Sequence, residues 1–175
     1  MDTWERLYLR KEGAEYMNPN IRKARESDAS RIAEIFVYNN RANFFSIFKD
    51  ESYSFNFLQV TSVIAQFAER IGAPDETYVY DDGIVRGFLV AARGEVKKLY
   101  VDSFFQGRGI GAALLDFAVG ELDADFLWAL EKNTDALRFY ARYGFLPSGE
   151  RKYEDGTTEW LIRLSRSGDK QGEKR

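Results

Sequence analysis

Three glycines in five residues, placed where a strand hands over to a helix, constrain this chain more than any other feature. The stretch is Gln106-Gly107-Arg108-Gly109-Ile110-Gly111. Before it, Glu95 to Val101 reads as a β-strand. After it, Ile110, Ala113, Leu114 and Phe117 recur at helical spacing through about Glu121. Glycine lets a backbone turn tightly and leaves no Cβ between the amide N–H groups and whatever approaches them. A helix N-terminus adds free N–H donors and the positive end of the macrodipole. Together they form a site for a phosphate or another anion, to which Arg108 adds a positive side chain. A tight connection needing glycine on steric grounds alone would look the same, so the neighbouring segments decide.

Two better-known phosphate loops do not fit. The Gly-Lys-Ser/Thr ending of a nucleoside-triphosphate loop is absent. A dinucleotide fold would place its glycines after the first strand of a βαβ unit, and here a run of strands comes first.

Composition removes more mechanisms than any motif adds. Among 175 residues there is no cysteine and no histidine. Disulfides, thiolate metal sites and cysteine nucleophiles are therefore excluded. A general base must be a carboxylate, a tuned lysine or tyrosine, or a water. A formal charge of −3, with both signs interspersed, argues against nucleic acid as a partner. No run of about 18 apolar residues is present, and the first residues lack the apolar core of a signal peptide. The expectation is a cytoplasmic protein without a membrane span or a metal.

In chain order, residues 1–18 read as a loose N-terminal arm, 19–164 as one domain, and 165–175 as a disordered tail without apolar residues. Asn20 to Ala24 forms a short strand, and Ser27 or Asp28 caps a helix running to about Asn39. The aromatic stretch Phe44, Phe45, Phe48, Tyr53, Phe55 and Phe57 is read mainly as core. A helix from about Asn56 to Ile71 ends at Gly72-Ala73-Pro74. Thr77 to Tyr80 and Ile84 to Ala92 pair across Asp81-Asp82-Gly83, and Glu95 to Val101 completes an antiparallel meander. The pattern then becomes strand, helix, strand, helix. Phe126 to Leu130 is apolar enough to be a buried strand parallel to its neighbour. Asn133 caps a helix ending at Gly144, and 145–153 with 157–164 form a last hairpin.

A second constellation lies in the helix after Asn133. Tyr140 follows the cap by two helical turns. With an ordinary pKa near ~10, its hydroxyl is an acid at neutral pH. Read by themselves, Phe139, Tyr140 and Tyr143 point to packing more than to chemistry.

Taken together, the two segments resemble the GCN5-related N-acetyltransferase (GNAT) family. The family's strand, Gln/Arg-x-x-Gly-x-Gly/Ala turn and helix are matched by Leu99-Tyr100-Val101, by Gln106 to Gly111, and by the helix through Leu115 and Phe117. Its Asn-x-x-Ala-x-x-Phe-Tyr-x-x-x-Gly-Phe pattern is matched by Asn133, Ala136, Phe139, Tyr140, Gly144 and Phe145. The match is sharp over 95–146 and follows the family's element order over about 20–164.

The resemblance implies an α/β fold with a twisted, mostly antiparallel sheet of six to seven strands, a splayed parallel pair and about four helices. It implies direct transfer of the acetyl group of acetyl-CoA to a primary amine, as a monomer or a homodimer. Backbone groups of Gln106, Gly107, Arg108, Gly109, Ile110, Gly111 and Ala112 would hold the CoA pyrophosphate. Those of Leu99, Tyr100 and Val101 would pair with the pantetheine amides, and Asn133 and Tyr140 would complete the cofactor site. Tyr140 would protonate the departing thiolate, and a backbone N–H near Tyr100 or Val101 would stabilise the oxyanion. Glu95, at the start of its strand, stands where some family members carry a catalytic glutamate. Glu131 and a water chain are alternatives. A non-catalytic acyl-CoA sensor on the same fold is the competing reading, and a nucleotide-binding regulator a third.

Overall fold

A seven-stranded sheet separates two helical layers in the computed structural model, which describes residues 18–71 and 76–166. The strands are β1 (Ile21–Lys23), β2 (Glu76–Asp81), β3 (Val85–Ala92), β4 (Glu95–Val101), β5 (Phe126–Leu130), β6 (Phe145–Tyr153) and β7 (Trp160–Arg166). The helices are α1 (Ala29–Phe48), α2 (Val60–Arg70), α3 (Ile110–Glu121) and α4 (Thr134–Arg142). The sheet order is β1-β2-β3-β4-β5-β7-β6, and every neighbouring pair is antiparallel except β4 and β5. This is the mixed fold anticipated from sequence, with the meander and the parallel crossover in their expected places.

Each face of the sheet buries its own core. Ile32, Ile35, Val63 and Phe67 of α1 and α2 pack on Val79, Phe88 and Val90. Ile110, Leu114, Leu115 and Ala118 of α3 pack on Leu89, Val96, Leu127 and Leu164. The side chains alternate between faces because a strand has a period of two. One irregularity in β4 matters later. Ala91 pairs with Val96 but Val90 pairs with Lys98, so Lys97 is the inserted residue of a β-bulge. Such a bulge bends the strand and re-aims the side chains around it.

Several boundaries differ from the sequence reading. α1 runs nine residues past Asn39, to Phe48. Asn39 and Asn40 looked like a stop, but each donates its side-chain amide to the carbonyl four residues back, Ile35 O at 2.8 Å and Phe36 O at 2.9 Å. Their polarity is absorbed inside the helix. Asp28 occupies the N-cap position of α1 without capping it. Its carboxylate instead accepts the Arg25 N–H at 2.7 Å and both terminal nitrogens of Arg22 at 2.7 and 3.0 Å.

The aromatic stretch is also different. None of its six rings belongs to the buried core; Tyr53, Phe55 and Phe57 are exposed. Residues Ser52–Phe57 form a π-helical turn, pinned by Arg41, which donates to Ser54 O and Leu58 O at 2.9 Å each. Phe45 packs on Phe55 with ring centroids 5.2 Å apart, so these rings meet one another rather than the sheet. β7 continues through Arg166, two residues into the segment read as tail. The arm before Asn18, the Gly72-Ala73-Pro74 stop and the tail beyond Arg166 lie outside the described residues. Among the described residues no helix is long and apolar enough to cross a membrane.

Candidate active site

The parallel pairing of β4 and β5 covers only Glu95 with Phe126 and Val96 with Leu127. Beyond Val96 the two strands part. The edge of β4 that would face β5 is therefore left without a strand partner through Leu99, Tyr100 and Val101. An open edge of this kind pairs readily with an extended chain of amides.

At the end of that edge sits the glycine turn. Gly107 and Gly109 have φ of 74° and 82°, the left-handed region that glycine enters at no steric cost. A Cβ added at either would meet no atom within 4 Å, so conformation rather than crowding requires glycine, and the turn opens onto free space. Ala113 N–H is the first to bond within the helix, to Gly109 O at 2.9 Å. The N–H groups of Ile110, Gly111 and Ala112 precede it and have no intrahelical acceptor. Gly111 has a different reason. A Cβ there would touch the Phe139 ring at 3.4 Å, so its absence lets α3 and α4 approach closely.

The turn is braced from α1. Asn39, buried at 3 % exposure, donates to Val101 O at 3.2 Å and accepts from Gln106 Nε2 at 3.3 Å. Gln106 Nε2 also donates to Val101 O at 3.2 Å. The Gln106 side chain thus ties the turn to the end of β4. Asp102 adds a second tie, accepting the Phe104 N–H at 2.9 Å while pairing with Arg31 of α1.

One cavity of about 1690 Å³ runs from this turn, past the open edge of β4, to the far end of α1. Pockets for drug-sized ligands span about 300–1000 Å³, so there is room for two molecules. Of the residues singled out from sequence, Glu95, Leu99, Tyr100, Val101, Gln106, Gly107, Gly109, Ile110, Gly111, Ala112, Asn133 and Tyr140 all line it. Arg108 does not: its guanidinium lies over the Phe105 ring, 5.3 Å from the centroid. Glu131 is also outside, paired with Arg151 at 3.2 Å. Asn133 uses its side-chain oxygen to cap α4, accepting Ala136 N–H at 3.2 Å.

Tyr140 lies between two rings, 5.2 Å from Phe139 and 6.3 Å from Phe145. Burial pushes its hydroxyl up to about 12. Burial, and then the proximity of Tyr140, likewise hold the Tyr100 hydroxyl well above its ordinary value. Both phenols are therefore proton-bearing at neutral pH. Tyr100 packs between Phe36 and Phe88, each 5.4 Å away, so its ring serves the core while its backbone faces the cavity.

A family model described as acetyltransferase (GNAT) domain matches residues 47–160, most of the chain. The chain belongs to the GNAT acetyltransferase family. It is an acetyl-CoA-dependent acetyltransferase. It is 24% identical over 136 residues to the peptidyl-lysine N-acetyltransferase YjaB of Salmonella typhimurium, covering 78% of this chain and 89% of that one. A GCN5-related N-acetyltransferase from Rhodopseudomonas palustris superposes with a TM-score of 0.65 at 22% identity, over 86% of this chain and 96% of the other. The PaiA N-acetyltransferase of Thermoplasma acidophilum, solved with coenzyme A, gives 0.59 at 18% identity, over 83% and 97%. At these identities the solved structures speak for the fold.

The sequence reading missed Asn39, Lys98, Trp128 and Glu154, all of which line the cavity or brace it. A polar residue inside the apolar stripe of α1 was the one available signal for Asn39. The others are brought in by strand pairing and the β6–β7 turn, which leave no mark in the local sequence.

Proposed function

We propose that this GNAT acetyltransferase transfers the acetyl group of acetyl-CoA directly to a primary amine, with donor and acceptor meeting beside β4. The observation that carries the reading is convergence: the glycine turn, the unpaired edge of β4 and Tyr140 all line one cavity. The N–H groups of residues 107–112 hold the pyrophosphate, aided by the α3 dipole. The free edge of Leu99 to Val101 takes the pantetheine amides as an added strand. Arg108, drawn onto Phe105, acts through the potential of the turn rather than through a contact.

Acetyl-CoA supplies an acyl carbon activated as a thioester. The amine must arrive without its extra proton, and Glu95, at the cavity wall where β4 and β5 part, accepts that proton directly or through water. A backbone N–H at Tyr100 or Val101 donates to the oxygen that gains charge. The N–C bond forms and the C–S bond breaks. Tyr140, fully protonated, gives one proton to the sulfur; nitrogen loses two in all, the extra one that Glu95 passes to solvent and a second after the N–C bond forms, which replaces through water the one that Tyr140 gave. With no cysteine in the chain, an acyl-cysteine relay has no nucleophile.

The test is release of free CoA, followed with a thiol reagent to which this cysteine-free protein contributes no background, across amines, amino acids and lysine peptides. Turnover with one class and tight acetyl-CoA binding support the proposal. Binding of acetyl-CoA with no release for any acceptor would establish a sensor instead.

A further inference from the structure

The cavity wall includes a partly buried lysine that sits against an aromatic ring. Lys98 of β4 lines the cavity, with its ammonium 5.1 Å from the centroid of the Phe36 ring. Among the described residues no carboxylate lies within ion-pairing distance of it. Two other lysines of the wall have contacts of their own. Lys132 is paired with Glu159 at 2.8 Å, and Lys152 lies over Trp128 at 4.5 Å.

The bulge explains why a lysine is here. With Lys97 as the extra residue, Lys98 falls opposite Val90, which belongs to the core under α1 and α2. In an unbroken register Val90 would face Lys97 instead. A half-buried ammonium held by one ring gains less from it than from an anion partner in a desolvated site. Arg70 and Lys97 add positive charge nearby; Glu154 is the carboxylate felt most. Burial first, then Arg70, lower the lysine's affinity for its proton. An arriving anion would oppose both effects by favouring the charged lysine. Phe36, Tyr53 and Trp128 give the cavity aromatic surface, and Glu95 and Glu154 give it negative groups for an ammonium.

Resting on the acetyltransferase reading, we infer that the acceptor is an amine that also carries a carboxylate beside an apolar body, and that Lys98 is the residue that binds this carboxylate. In that pose the ammonium would face the glutamates and the carboxylate would face Lys98. The stem of Lys98 stays packed on Phe36, and the bond-making at the acyl carbon is unchanged.

Matched acceptors test this: phenylalanine against phenethylamine, and methionine against 3-(methylthio)propylamine, each with and without the carboxylate. In CoA release the carboxylated member of at least one pair should have a kcat/KM ten-fold or more above its partner. Lys98→Met, which keeps the stem and removes the charge, should erase that ratio through KM while leaving the decarboxylated amine within about two-fold. No preference in either pair, or an equal loss on both members, overturns the inference; an equal loss in kcat alone would assign Lys98 to proton transfer instead. Binding of 3-phenylpropionate, which has no amine to acetylate, is measured in parallel by calorimetry with CoA present. If no amine turns over yet 3-phenylpropionate binds the wild type and not Lys98→Met, the acetyltransferase reading fails and the carboxylate site stands. If turnover occurs and 3-phenylpropionate binds both proteins alike, the carboxylate site fails and the activity stands.

Discussion

Replacing Asn39 by leucine tests whether the brace between α1 and the glycine turn serves donor binding. The side chains are similar in size, so packing in the core is nearly kept and the amide's hydrogen bonds are lost. Two of those bonds reach the site, to Val101 O at 3.2 Å and from Gln106 at 3.3 Å. Both are at the long end of the normal range, and each is worth about 0.5–1 kcal/mol net. Neither partner is orphaned, because Gln106 still donates to Val101 O at 3.2 Å. The bond to Ile35 O closes within α1, whose carbonyl already serves the helix. The loss of stability should therefore be about 1–2 kcal/mol, read from urea unfolding. If that energy holds the turn in its binding shape, kcat/KM for acetyl-CoA should fall by about 5- to 30-fold, at about 1.4 kcal/mol per factor of ten. The loss should appear in KM for acetyl-CoA and not in KM for the amine. Equal losses on both substrates, or unchanged kinetics in a destabilised protein, would refute the role of Asn39 as a positioning residue.

Other substitutions separate the remaining parts of the site. Tyr140→Phe should lower kcat by about 10²–10⁴ with KM for acetyl-CoA little changed; full turnover in the variant would remove Tyr140 from the acid role. Because burial raises the Tyr140 hydroxyl to about 12, the acid form persists through mild alkali. A falling limb in kcat centred near ~10, present in the wild type and absent in Tyr140→Phe, would contradict that placement. Gly109→Ala, at φ 82° and with open space around the new Cβ, should cost about 1–2 kcal/mol of stability from backbone strain alone. It should also weaken acetyl-CoA far more than S-acetylpantetheine, which has no pyrophosphate, and equal effects on the two would point away from the turn as its cradle. Away from the site, Arg22 holds the Asp28 carboxyl below its ordinary range. Its stabilisation is complete above the unfolded value near ~3.9 and is lost as pH falls through the lower folded value. Asp28→Asn should cost about 1–3 kcal/mol at neutral pH, a difference that closes in acid when both proteins are titrated in urea.

Much of this protein was legible from local chemistry. A hairpin needs turn residues at Asp81-Asp82-Gly83, a left-handed φ needs glycine at 107 and 109, and a helix start needs a cap such as Asn133. Each rule acts within a few residues, and the structure bears out each of these three. The two family motifs add the family. The acceptor half of the cavity was not legible in this way. Which way Lys98 faces depends on its pairing with β3, since a slip of one residue moves a side chain to the other face of a sheet. Whether Asn39 ends a helix or braces a strand depends on Val101 and Gln106, 62 and 67 residues away. Arg108 looked like part of the anion site by sequence position, and only the fold shows its guanidinium over Phe105, itself on the cavity wall.

By itself, the sequence determined the order of elements, the glycine turn and the exclusion of cysteine and histidine chemistry, because these rest on residue type and short-range geometry. Tertiary structure alone decided that the turn, the open edge of β4, Tyr140 and Lys98 share one cavity. A cavity is the space left when distant segments pack, and no single segment encodes it.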